Sequence, residues 1–127
     1  MRKIIHSGRE AEGNLRALLA DRGGLGLQFV IIARDGTDPE AQARRQAVRP
    51  AHLEGIRPFV ERGNILVGGA ILDQVGNMVG SVLMADFPTR EALDAWLTGD
   101  PYVTEGVWQE VEVRPYRAAV GAWLPTG

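Results

Sequence analysis

The side chain with the widest chemical reach in this sequence is His52. It falls on the stripe Val48, His52, Ile56 and Phe59/Val60 of a segment with helical periodicity. An imidazole on such a stripe, packed against a sheet, either finds internal hydrogen bonds or lines a cavity. Arg49, three residues earlier on the same helical face, offers a fixed cation that can orient a carboxylate, enolate or phenolate. Asp100 precedes Pro101 at the end of a second helical segment, where the chain can return towards the first. A carboxylate paired with an imidazole holds its tautomer and increases its basicity, as a general base requires. Taken singly, Asp100 also reads as a turn residue that ends a helix, and His52 as a satisfied core histidine.

The residue types that are missing narrow the chemistry further. The chain has no cysteine, which removes thiolate nucleophiles, disulfides, iron–sulfur ligation and cysteine-type zinc sites together. There are two histidines, and His6 lies in the N-terminal segment, so no three-histidine metal site is expected within one chain. No G-x-S-x-G, Walker or G-x-G-x-x-G pattern occurs, and Gly23-Gly24-Leu25-Gly26 precedes a strand instead of joining a strand to a helix. The expected chemistry therefore uses no metal and no cofactor. A formal net charge of -2 and a pI near 5.7, without a Lys/Arg run, argue against a nucleic-acid partner. No apolar stretch is long enough to span a bilayer and Met1–Ile5 lacks a secretory h-region, so a soluble, cytoplasmic protein away from membranes is expected.

These residues need a scaffold. A chain of 127 residues, 45% hydrophobic and 24% charged, suits one compact domain with a real core. Residues 1–26 read as an N-terminal extension, a short helix or arm with Leu15, Leu18 and Leu19 at helical spacing before Gly23, Gly24 and Gly26. Leu27–Ala33 is a β-rich run that ends at Asp35-Gly36. Thr37-Asp38-Pro39-Glu40 opens a helical segment to Arg62-Gly63, which Pro50 is expected to divide into two pieces joined at Arg49-Pro50. Asn64–Leu72 and Met78–Phe87 form a hairpin around the turn 73–77. Thr89-Arg90-Glu91 caps a second helix carrying Leu93, Trp96 and Leu97, which ends at Gly99. Val107–Arg114 alternates with polar residues and suits a sheet edge, and residues 118–127 form a C-terminal tail.

The resulting order, β-α-β-β-α-β, is the ferredoxin-like α+β arrangement, with strands one and three central. Both central strands are apolar on both faces, yet two helices cover only one face of such a sheet. A homodimer that stacks two sheets supplies the missing layer. Trp96 and Trp108 read as packing residues, with a dimer contact as the alternative for Trp108.

Arg49-Pro50-Ala51-His52-Leu53, Gly68-Gly69-Ala70, Gly80-Ser81, Asp100-Pro101-Tyr102-Val103 and Glu112-Val113-Arg114-Pro115-Tyr116 occur in that order over residues 27–117. Together they resemble the YciI-like (YCII-related) family, although Gly68-Gly69-Ala70 stands where the family often has Ala-Gly-Pro. The resemblance implies a dimeric α+β barrel of ferredoxin-like protomers with a His–Asp pair beside the sheet. It maps that catalytic pair onto His52 and Asp100, and puts Arg49, Ser81 and Tyr102 around it as substrate-binding positions. Some family members eliminate halide from chlorinated hydroxylated aromatics, and the wider barrel group includes lactone isomerases and oxygenases. Two readings follow. One is a cofactor-independent lyase or isomerase acting by proton abstraction on a small hydroxylated ring or lactone. The other is a non-catalytic, dimeric accessory or sensor module that binds a small anion through Arg49.

Overall fold

The structure, a computed structural model, describes residues 3–6 and 26–122. The helix expected around Leu15–Leu19 and the tail beyond residue 122, Trp123 included, lie outside the described residues. In chain order the elements are β1 (Lys3–His6), β2 (Leu27–Asp35), α1 (Ala41–Glu61), β3 (Ile65–Leu72), β4 (Met78–Phe87), α2 (Arg90–Gly99), α3 (Pro101–Thr104) and β5 (Trp108–Tyr116). The strands form one sheet in the order β1-β5-β2-β4-β3. From β5 to β3 every neighbouring pair is antiparallel. With α1 and α2 as the crossovers, this is the ferredoxin-like α+β fold, and β2 and β4 sit inside it as their two-sided apolar character requires.

Alternation along the strands divides the sheet into two faces. Phe29, Ile31 and Ala33 of β2, Leu83 and Ala85 of β4, and Val111 and Val113 of β5 form the inner face. Against it pack Ile56 of α1, Leu93, Trp96 and Leu97 of α2, and Tyr102 and Val103 of α3. Phe59, Phe87 and Trp96 close the far end as an aromatic cluster with ring centroids 6.2–6.3 Å apart, so Trp96 is a core residue. Local signals set the element ends. The Thr89 hydroxyl accepts from the Ala92 amide at 3.0 Å as the N-cap of α2. Gly63, at φ +82°, follows the α1 C-cap in the left-handed region that glycine enters without strain. The Asp73 carboxylate accepts from the amides of Val75 and Asn77 and fixes the β3–β4 turn.

Three expectations change. First, α1 runs unbroken from Ala41 to Glu61 with Pro50 and Pro58 inside it, not as two pieces. Each proline removes one amide donor, but the surrounding helical bonds and the buried residues Arg45, His52 and Ile56 keep the axis continuous. Second, β5 is not the sheet edge, because β1 from the N-terminal extension pairs parallel to it with Ile4 opposite Val111. Third, β5 carries a bulge. Arg34 pairs with Glu110 but Asp35 pairs with Trp108, so the β2–β5 register shifts at Gln109. The extra residue turns Trp108 from the face its parity predicts to the inner face, where it is fully buried.

Candidate active site

The site grows out of one face of α1. Arg45, Arg49, His52 and Ile56 follow one another at spacings of four, three and four residues and therefore line one stripe facing β3 and β4. Opposite them, the inner positions of β3 carry Gly68 and Ala70 where larger side chains would meet the helix. The space left between α1 and these strands is a cleft of about 270 Å³, floored by Gly68, Ala70, Ser81 and Leu83 and rimmed by Leu53 and Val60. Val60, expected on the buried stripe, is half exposed at that rim. An apolar cavity of ~150 Å³ holds a benzene molecule, so this cleft accommodates one small substituted ring.

Asp100 approaches His52 from behind, where α2 ends and α3 begins. It is the C-cap of α2 and the N-cap of α3, and its Oδ2 accepts from the Tyr102 amide at 2.9 Å. The same oxygen lies 2.8 Å from Nδ1 of His52, with both side chains buried. A carboxylate only accepts, so Nδ1 carries a hydrogen, and in the neutral imidazole Nε2 then holds the lone pair. Nε2 has no hydrogen-bond partner among the described residues. The Tyr102 ring stacks on the imidazole at 3.9 Å and 9°, while Trp108 meets it edge-on at 5.7 Å. These contacts hold the ring plane in place. Burial pushes the Tyr102 phenol above its usual pKa, against the opposing charges of Arg45 and Arg49, so the hydroxyl stays protonated at neutral pH.

Beside this pair lies a buried polar network. Nη1 of Arg45 donates to both Asp35 oxygens at 2.9 Å, and Nη2 donates to Ser81 Oγ at 2.9 Å. Nε1 of Trp108 donates to the same Oγ at 3.2 Å. The Arg45 guanidinium also lies 4.9 Å from the Tyr102 ring centroid. Burial raises the Asp35 carboxyl above its ordinary pKa, with the hydrogen bond and charge of Arg45 pulling it back. Gly80 lets β4 approach β2 here, since a Cβ at that position would stand 2.5 Å from the Ala33 carbonyl oxygen. Arg49 is half buried at the cleft wall and no carboxylate pairs with it among the described residues.

All five residues singled out from sequence thus come together: His52, Arg49, Ser81 and Tyr102 line the cleft, and Asp100 stands behind the imidazole. Arg45, Asp35 and Trp108 were not singled out. Arg45 was detectable, because it extends the Arg49–His52–Ile56 stripe by one helical turn. Asp35 and Trp108 depend on the bulge, which side-chain alternation conceals. Among the described residues no three His, Asp or Glu side chains cluster as a metal ion would need.

The profile of the YCII-related domain matches residues 27–117. The Escherichia coli protein YciI (strain CFT073) is 35% identical over 95 residues, a stretch covering 70% of this chain and 95% of that protein. The xenovulene A biosynthesis cluster protein asL2 of Sarocladium schorii is 28% identical over 63% of this chain and 77% of its own length. Among solved structures, 5-chloro-2-hydroxyhydroquinone dehydrochlorinase (TftG) from Burkholderia phenoliruptrix AC1100, in complex with 2,5-dihydroxybenzoquinone, superposes with a TM-score of 0.65. It is 23% identical, and the match covers 72% of this chain and 95% of the dehydrochlorinase. From the match over residues 27–117 and the identity to YciI, the chain belongs to the YciI-like family of YCII-related domain proteins.

Proposed function

We propose that the protein is a cofactor-independent lyase or isomerase that removes a proton from a small hydroxylated ring or lactone, with His52 as the base and Asp100 holding it. The observation that carries this reading is the 2.8 Å contact from His52 Nδ1 to Asp100, which leaves Nε2 without a protein partner in a residue that lines the cleft. Nε2 takes the proton, and Asp100 stabilises the imidazolium that forms. The electron pair released from the substrate moves onto an oxygen facing Ser81 and Arg49, where hydrogen bonding and charge lower the energy of the developing oxyanion. In an isomerase the proton returns at another carbon. In a dehydrochlorinase the electron pair expels chloride, so the net loss is HCl and no oxidant is needed. The name of the Burkholderia neighbour supports the second form, and its bound dihydroxybenzoquinone supports a hydroxylated-ring substrate. A base of this kind contributes about 10²–10⁴-fold in rate.

The test is a turnover screen against chlorinated hydroxylated aromatics and lactones, with His52→Ala beside the wild-type protein. Loss of turnover with an unchanged circular dichroism spectrum is expected, and retained turnover overturns the assignment. One observation favours a second reading, a non-catalytic anion-binding module: Arg49 stands at the cleft wall without a paired carboxylate among the described residues. In that case Arg49→Ala weakens anion binding more than His52→Ala in calorimetric titration. Both readings take the protein to be a homodimer, joined through the outer face of the sheet.

A further inference from the structure

The most constrained atom in the cleft is the hydroxyl oxygen of Ser81. A serine hydroxyl has two lone pairs and one hydrogen. Here both lone pairs are occupied, because Arg45 Nη2 at 2.9 Å and Trp108 Nε1 at 3.2 Å each approach Oγ, and guanidinium and indole N–H groups only donate. The hydroxyl hydrogen finds no acceptor among the described residues, although Ser81 is 4% exposed and contributes to the cleft floor. Neither neighbour is free to turn away. Arg45 is pinned by Asp35 through two 2.9 Å contacts, and Trp108 is held inward by the β5 bulge. The arrangement also leaves Nε of Arg45 buried and unpartnered, a cost that calls for a compensating role.

We propose that Ser81 is a fixed hydrogen-bond donor to the ligand, so that the cleft selects molecules presenting an oxygen acceptor at this point, a ring carbonyl, enolate or phenolate oxygen. Arg45 and Trp108 are the positioning residues that set this polarity. The nearby guanidinium strengthens the effect by polarising the O–H bond towards an anion. A ligand offering only a donor there meets a hydroxyl with no lone pair left to receive it. The inference rests on the proposed reading of the cleft as the substrate site, but it concerns binding and not the base.

The experiment compares two probes of matching size that carry no other strong hydrogen-bonding group, pentafluorophenolate and pentafluoroaniline, by equilibrium titration at a pH where the phenol is ionised. The wild-type protein is expected to favour the phenolate. In Ser81→Ala the phenolate weakens about ten- to a hundredfold and the aniline is little changed. Ser81→Cys, which keeps the volume and has a weak donor, shows the same trend and guards against misfolding of the alanine variant. Ser81→Thr retains the preference. In Trp108→Phe one lone pair of Oγ is freed, so the preference falls by the opposite route, through tighter aniline binding, a change that loosened packing does not produce. Equal binding of both probes by wild type, or a preference that survives in Ser81→Ala and Ser81→Cys, overturns the proposal. Loss of the preference in those variants together with turnover that survives His52→Ala upholds the donor role of Ser81 while sinking the base.

Discussion

At the scale of residues, His52 and Ser81 divide the polarity of the cleft, one presenting a lone pair and the other a hydrogen. Asp100 orients the first of these, so under the proposed lyase or isomerase reading Asp100→Asn is expected to lower kcat by about 10²–10⁴-fold with a smaller change in KM, measured by steady-state kinetics. The asparagine still accepts the Tyr102 amide, so its melting temperature stays near that of wild type. A second carboxylate allows a pH test away from the cleft. Burial raises the Asp86 carboxyl above its ordinary value, partly offset by a long hydrogen bond from Gln28. The native state therefore keeps this proton to higher pH than the unfolded chain, and stability from the group is lost as pH rises past the unfolded value of about 3.9. Asp86→Asn is expected to melt above wild type at pH 7, with the gap closing as the pH falls towards 4; a gap that is constant with pH refutes the assignment. Residue type and spacing single out His52, one of two histidines, whereas Asp100, one of sixteen Asp and Glu residues, is picked out by its place before Pro101 and by the family resemblance. For Arg45 the spacing on the helical stripe is a signal, but its residue type is not, because an arginine is ordinarily read as surface and its burial depends on Asp35 reaching it from another element.

At the scale of elements, strand alternation and helix capping marked most of the fold. The fourth strand and the Thr89 cap fall where their residues place them. Two features escaped because they depend on tertiary context. Proline sterics predict a break in α1, yet the packed stripe from Arg45 to Ile56 holds the helix together across Pro50. Replacing that exposed proline restores an amide donor in mid-helix, so Pro50→Ala is expected to stabilise the protein by about 2 kcal/mol in urea unfolding. A destabilised variant would mean that the proline is accommodated by a local geometry that alanine cannot share. The bulge at Gln109 was illegible for a different reason. An inserted residue changes which face a side chain occupies without changing composition, so strict alternation would group Trp108 with Glu110 and Glu112, whereas it is buried in the core.

At the scale of the whole molecule, the two faces of the sheet serve different ends. The inner face carries the core and the cleft. The outer face presents Val30, Ile32, Val67, Val82 and Met84 in adjoining register positions, with Val67 47% and Val82 36% exposed. Charged pairs, Arg34 with Glu110 and Arg114 with Glu112, border this patch. An apolar centre with a polar rim is the usual anatomy of a protein interface, and two sheets related by a twofold axis would bury it symmetrically. Val82→Asp is expected to convert a dimer into a monomer in sedimentation velocity, while a wild-type protein that sediments as a monomer refutes the arrangement. The two-sided apolar character of β2 and β4, from which the proposed extra layer is argued, was readable in the sequence. The pairing of β1 with β5 was not, because Lys3–His6 is too short a run to announce a strand.

One carboxylate oxygen of Asp100 closes the corner between α2 and α3 and also anchors the imidazole. The corner of the fold and the orientation of the imidazole therefore depend on one atom. Any fluctuation that opens this corner releases His52 in the same event, and it also uncovers the Tyr102 amide to solvent. The hydrogen–deuterium exchange rate of that single amide consequently reports, without any substrate, the fraction of time for which His52 is held by Asp100.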